Sequence, residues 1–243
     1  MKTLGIDEAG RGCAIGPMAV GGVLVRDGDL ESLKSLGVKD SKHLSPGKRE
    51  ELFPQIKEKA LFYEVKFISP SDIDESNLNQ IDLQEIISFV AKLNPNKVIF
   101  DVPTNPSGVE NFVKAVRLGL GESVDSLLKS VQGKTSEVGS TETSEVEELG
   151  RERSNQPELI GENKADENYP IVSAASVLAK VARDQVIEEL HKQYGDFGSG
   201  YMSDEKTQVF LRDCFAKNGD FPPIIRRKWS SVQGFLQKQR KLI

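Results

Sequence analysis

Short apolar runs alternate with longer stretches of helical spacing from the first residues onward. Lys2 to Asp7 alternates weakly and runs into Glu8-Ala9-Gly10-Arg11-Gly12, a turn-like cluster. Met18 to Arg26, carrying Val20, Val23, Leu24 and Val25, reads as a second strand. Ser45-Pro46-Gly47-Lys48 opens a helical pattern on Leu52, Phe53, Ile56 and Ala60. Ser45 suits the N-cap, and Pro46 the first turn, where an amide has no intrahelical partner. Phe62 to Ile68 alternates as a strand. The spacing of Leu83, Ile86, Ile87, Val90 and Leu93 predicts a helix over Ser71 to Leu93. Lys97 to Asp101 is a short apolar strand ending in an acid.

The pattern breaks from Glu122 to about Ser154, a stretch rich in Ser, Thr, Glu and Gly and nearly free of aromatics. Such a composition buries too little apolar surface to offset the entropy of ordering, so residues 122–156 are expected to form a disordered or loose insertion. Leu127 and Leu128 offer at most a short helical extension into it. Leu159 and Ile160 then suggest a strand leading to Lys164-Ala165-Asp166. Ile171 to Leu190 reads as a helix with many alanines, followed by a loop carrying Gly195, Gly198 and Gly200. Asp204 to Lys217 is helical, Phe221-Pro222-Pro223 interrupts, and a last helix starts near Ser230. Strands alternating with helices argue an α/β domain whose chain ends in helices.

Composition adds limits. The 243 residues suffice for one large domain, or a core domain with a small appendage. At 37% hydrophobic and 28% charged, the chain fits a globular protein. No apolar run approaches the ~20 residues of a membrane helix, and the N-terminus lacks the pattern of a secretion signal, so a cytosolic protein is expected. Cys13 and Cys214 do not suggest a disulfide framework, and with His43 and His191 they make no zinc spacing. Cys13 reads as a small buried residue. The net charge of −5 argues mildly against bulk affinity for nucleic acid. Yet Arg226 to Lys241 holds Arg226, Arg227, Lys228, Lys238, Arg240 and Lys241 with no acid.

Three acidic positions stand where strands or turns end: Asp7-Glu8, Asp101 and Asp166. Each alone is an ordinary solvated acid or turn cap. Gathered at neighbouring strand ends, carboxylates repel one another and favour a hard divalent cation. Two such ions ~4 Å apart can drive phosphodiester hydrolysis. The residues alone do not bring these segments together. Gly10-Arg11-Gly12 offers backbone amides for a phosphate or hydroxyl, or is simply a tight turn. Its third glycine, Gly16, falls one residue late for a dinucleotide fingerprint, and Gly133-Lys134-Thr135 lacks the first glycine of a phosphate-binding loop. Asp40-Ser41-Lys42 could meet a phosphate. Ser173, Ser176 and Lys180 share one helix face, which alone reads as solvated. Tyr201 could stack on a base or sugar, or pack over the core.

Gly5 to Gly12 with Gly16-Pro17 resembles the opening signature of ribonuclease HII. Asp40-Ser41-Lys42, the strand ending at Asp101, Lys164-Ala165-Asp166, Ser173 to Ser176 with Lys180, and Gly198 to Tyr201 follow in that family's order. Phe221 to Pro223 and Arg226 to Trp229 resemble its archaeal branch. The resemblance implies a ribonuclease H-like mixed five-stranded sheet flanked by helices, with a C-terminal helical extension. It places the catalytic domain at residues 1–190, interrupted by the insertion, and the substrate-binding extension at 191–243. It implies Asp7, Glu8, Asp101 and Asp166 as the catalytic acids holding two Mn²⁺ or Mg²⁺ ions. Gly10, Arg11 and Gly12 would read the ribose 2′-hydroxyl, the group that separates RNA from DNA. Tyr201 would stack on the neighbouring deoxyribose, and Lys42, Ser176 and Lys180 would steady phosphates.

The implied activity is endonucleolytic cleavage of RNA in RNA/DNA hybrids, and 5′ of single ribonucleotides in duplex DNA. The products would carry 3′-hydroxyl and 5′-phosphate ends, and the work would serve ribonucleotide and RNA-primer removal. A monomer is implied, with the basic C-terminal helices gripping the duplex. Gln233 and Leu236 are three apart but lack the paired aromatics of a sliding-clamp peptide, so no clamp binding is expected there. The acidic insertion departs from the family pattern, where only a short connection separates the third and fourth acids. Two alternatives remain open: another enzyme of the same fold, ribonuclease HIII or HI, acting on long hybrids, and a non-catalytic duplex-binding protein.

Overall fold

The computed structural model describes residues 1–38, 44–132 and 156–240. Strands β1 (Lys2–Ala9), β2 (Met18–Arg26), β3 (Phe62–Ile68), β4 (Lys97–Asp101) and β5 (Glu158–Glu162) form one mixed sheet in the order β3-β2-β1-β4-β5. β1, β2 and β3 are joined antiparallel, whereas β4 and β5 run parallel to β1. Three neighbouring strands therefore finish at the same end of the sheet.

Alternation along the strands divides the core. Leu4, Ile6, Val98 and Phe100 face one side and pack with Phe89 and Phe112. Val23, Val25 and Ile99 face the other and pack with Ile171, Ala175 and Leu178. The first side is covered by α4 (Leu78–Leu93) and α5 (Val109–Gln132), and the second by α7 (Pro170–Tyr194), with α1 (Leu30–Ser35) and α2 (Pro46–Lys59) outside it. Helix α7 lies unusually close to the sheet. A Cβ on Gly5 would stand 2.5 Å from the Ile171 carbonyl oxygen, and one on Gly21 would stand 2.4 Å from that of Ala175. Glycine in the strands and alanine in the helix permit this approach.

The expected mixed five-stranded sheet flanked by helices is present, but the helical pattern needs three corrections. Ser71 to Leu93 is two helices, α3 (Pro70–Glu75) and α4, because Ser76 is extended and the Asn77 side chain caps α4 by accepting from the Asn79 amide. Residues 122–132, expected in the loose insertion, continue α5 to Gln132. Residues 133–155 of that insertion lie outside the described residues. Helix α5 also begins at Val109, well before residue 122, where the sequence reading places no helix, and Phe112, Val116 and Leu120 are buried at spacings of four.

After α7, the segment α8 (Glu205–Asn218) to α9 (Ser230–Arg240) builds a smaller apolar cluster from Phe197, Leu211, Phe221, Ile224, Ile225 and Val232. Ala14 and Ile15, from the loop after β1, belong to it, and Ile15 forms a β-bridge with Ile225. The chain's end is thus fastened to the loop that follows the first two acids. Among the described residues no helix is long and apolar enough to cross a membrane.

Candidate active site

The last paired residues of the β1–β4 ladder are Ile6 and Phe100. Asp7 and Asp101 come one step later on both strands, on the face that Gly5 and Ile99 present to α7. Glu8 follows Asp7. Carboxylate oxygens of Asp7, Glu8 and Asp101 lie within 4.8 Å of one another. The turn after β5 brings in Asp166 on α6 (Ala165–Asn168), where it is fully buried and its charge acts on Asp7. That turn is fixed by the Ala165 amide, which donates to Asp101 Oδ1 at 2.8 Å, and by Lys164 in the left-handed region. The fold therefore gathers Asp7, Glu8 and Asp101, with Asp166 near enough for its charge to act on Asp7.

These acids resist ionising together. Burial raises the Asp7 carboxyl well above its ordinary range, and the charges of Glu8, Asp101 and Asp166 raise it further. Glu8 is pushed up to about 7, first by burial and then by Asp101. Ser176 on α7 opposes the effect by hydrogen bonding to Asp7. Ser173 and Ser176 are both buried. Their helix face is packed rather than solvated, and Ser173 donates to the Val38 carbonyl. The set of hard oxygen donors, crowded and partly desolvated, fits a divalent cation.

Beside the acids runs the Gly10–Gly12 loop. Gly10 has a φ of 77°, and a Cβ there would stand 2.0 Å from Arg183 Nε, so only glycine fits. Arg183 donates from Nε to the Pro17 carbonyl at 3.1 Å. Arg11 turns its side chain away from the loop onto α4, pairing with Asp82 and donating to Asn79 Oδ1 at 2.6 Å. Among the described residues, neither the Arg11 nor the Gly12 amide has an acceptor. Both Ala14 and Ile15 amides are tied to the Gly200 carbonyl, at 2.7 and 3.2 Å. That contact sets Tyr201 across the loop from Gly12, with the residue 40% exposed. The Tyr201 hydroxyl stays protonated, its pKa pushed up to about 12 by burial and by its contact with Cys13. Cys13 is fully buried, as expected.

Glu8, Gly10, Arg11, Gly12, Lys180 and Tyr201 line one open cavity of about 450 Å³. Arg49, Arg183 and Asp184, which no sequence motif above marks, line it too. Arg49 donates to Asp184 Oδ2 at 3.2 Å, joining α2 to α7; its position after the Ser45 cap was the available signal. Asp40-Ser41-Lys42 lies outside the described residues.

A family model for ribonuclease HII matches residues 4–117 and 114–232. Ribonuclease HII of Pyrococcus furiosus is 40% identical over 96% of this chain and 90% of its own length. The ribonuclease H2 structure from Pyrococcus horikoshii OT3 superposes with a TM-score of 0.78 at 34% identity, covering 99% of this chain and 100% of that one. A structure of the PCNA:RNase HII complex from Archaeoglobus fulgidus gives 0.73 at 33% identity, covering 95% and 96%.

Proposed function

Because the chain belongs to the ribonuclease HII family, and so to the ribonuclease H class of nucleases, we propose that it cleaves 5′ of ribonucleotides embedded in duplex DNA and within RNA/DNA hybrids. The observation that carries this reading is the meeting of the Asp7, Glu8 and Asp101 carboxylates beside a loop with two amides that have no acceptor among the described residues. Asp7, Glu8, Asp101 and Asp166 would hold the metal. Enzymes of this family depend on divalent metal, and Mn²⁺ or Mg²⁺ suits these oxygen donors. Bound there, such ions supply activation of water and stabilisation of the leaving oxygen, giving 3′-hydroxyl and 5′-phosphate ends.

The chain's own residues choose the phosphate. The amides of Arg11 and Gly12 can donate to a ribose 2′-hydroxyl, which DNA lacks. Tyr201 presents a partly exposed ring opposite Gly12, suited to the neighbouring sugar. Lys180 stands in the same cavity and can neutralise a phosphate, whereas buried Ser176 acts through Asp7. Residues 191–243 are proposed as the extension that holds the duplex, with 1–190 as the catalytic domain. The PCNA complex belongs to the A. fulgidus relative. Gln233 here donates to the Arg227 carbonyl at 2.6 Å and Leu236 packs in the C-terminal cluster, so clamp binding through this pair is not proposed.

The test is incubation of the purified protein with a labelled DNA duplex holding one ribonucleotide, with Mn²⁺, Mg²⁺ or chelator. Metal-dependent cleavage 5′ of the ribonucleotide is expected. Cleavage of a long hybrid alone would remove the junction specificity, and no cleavage with any metal would remove the catalytic reading.

A further inference from the structure

Arg226 sits in the basic C-terminal stretch, yet it is fully buried and is not part of a surface that could grip a duplex. Its side chain donates to three main-chain carbonyls: Nη2 to Gly10 at 2.6 Å, Nη1 to Arg11 at 2.7 Å and Nε to Gly16 at 3.1 Å. Its own amide donates to the Ala14 carbonyl at 2.9 Å, and its guanidinium lies 5.7 Å from the centre of the Trp229 ring. Burying a guanidinium against carbonyls and a ring, with no ion-pair partner among the described residues, is costly, which favours a role beyond packing.

The peptide unit is planar and trans, so its C=O and N–H point in opposite directions. The Gly10 carbonyl shares a plane with the Arg11 amide, and the Arg11 carbonyl with the Gly12 amide. Holding those two oxygens from behind therefore aims the Arg11 and Gly12 amides, which have no acceptor among the described residues, away from Arg226. We propose that Arg226 is a positioning residue, whose guanidinium fork fixes the Gly10–Arg11 and Arg11–Gly12 peptide planes and so aligns the amides that recognise a ribose 2′-hydroxyl. This rests on the proposed reading of the Gly10–Gly12 loop. Lysine, with a single ammonium in place of a planar fork, cannot hold both planes in the same way.

The experiment compares equilibrium binding, in chelator, to a DNA duplex with one ribonucleotide and to the same duplex in all-DNA form. The ratio of the two dissociation constants is taken on one preparation, so any unfolded fraction cancels. Wild type is expected to prefer the ribonucleotide. Arg226→Lys and Arg226→Gln are expected to lower that preference roughly tenfold, with all-DNA binding unchanged. A wild-type preference retained in both variants overturns the role of Arg226 while leaving the loop reading intact. A wild type without preference overturns the loop reading and this proposal together.

Discussion

The Ala165 amide donates to Asp101 Oδ1 at 2.8 Å, so the third acid also anchors the turn that presents the fourth. On the proposed function one residue thus carries two separable duties. Asp101→Asn keeps an acceptor for Ala165 and loses the charge, whereas Asp101→Ala loses both. Both variants should lose at least about a hundredfold in activity, since even indirect partners of a metal ligand cost 10–100-fold. Only the alanine variant should lose stability, by about 1 kcal/mol. Thermal denaturation beside steady-state rates decides this, and equal loss of stability in both would separate Asp101 from the turn.

Glu8, pushed up to about 7 from an ordinary 4.5, binds its proton more tightly in the folded than in the unfolded chain. Asp7 shifts in the same direction. Between those two values the folded state holds more of the Glu8 proton, so the Glu8 contribution to stability falls as pH rises from about 4.5 to about 7 and is level above. Saturating Mn²⁺ should reduce the decline, because the cation replaces the proton, and apparent metal affinity should rise over the same interval. Melting temperatures in chelator and in Mn²⁺ across this range test it. Glu8→Gln should flatten the chelator slope; an unchanged slope would sink the assignment.

Ser176→Ala removes the hydrogen bond that eases ionisation of Asp7. Its metal-activation curve should move to higher Mn²⁺ concentration by roughly ten- to a hundredfold, with activity largely recovered at saturation. A lower plateau at the same half-saturating concentration would instead place Ser176 on the substrate.

Arg11 and Asp82 form a largely buried pair, with side chains 22% and 6% exposed. Arg11→Met leaves the carboxylate without its partner and should cost about 3 kcal/mol. Adding Asp82→Leu should restore most of it. Denaturant unfolding of the two single variants and the double closes the cycle.

Gly21→Ala would set a Cβ 2.4 Å from the Ala175 carbonyl oxygen, where neither backbone yields easily. A loss of about 2 kcal/mol or more is expected. Gly28→Ala meets nothing within 4 Å and should leave the melting temperature unchanged or slightly higher.

The strands, the capped start of α2 at Ser45 and the acids at strand ends are legible in the chain alone, because these follow from local periodicity, capping and turn chemistry. The sequence did not separate α3 from α4, since Leu83 to Leu93 dominates the spacing and the cap at Asn77 is a local event within it. It also gave no hint that Arg226, in a run of cations, is a core residue. That Asp7 and Asp101 end side by side emerges only on folding, because the parallel β1–β4 register joins residues almost a hundred positions apart. Folding likewise turns the Ser173–Ser176 face inward, where close approach of α7 at Gly5 and Gly21 sets Ser176 against Asp7. Pairing and packing across such separations depend on which surfaces meet, and no local pattern carries that information.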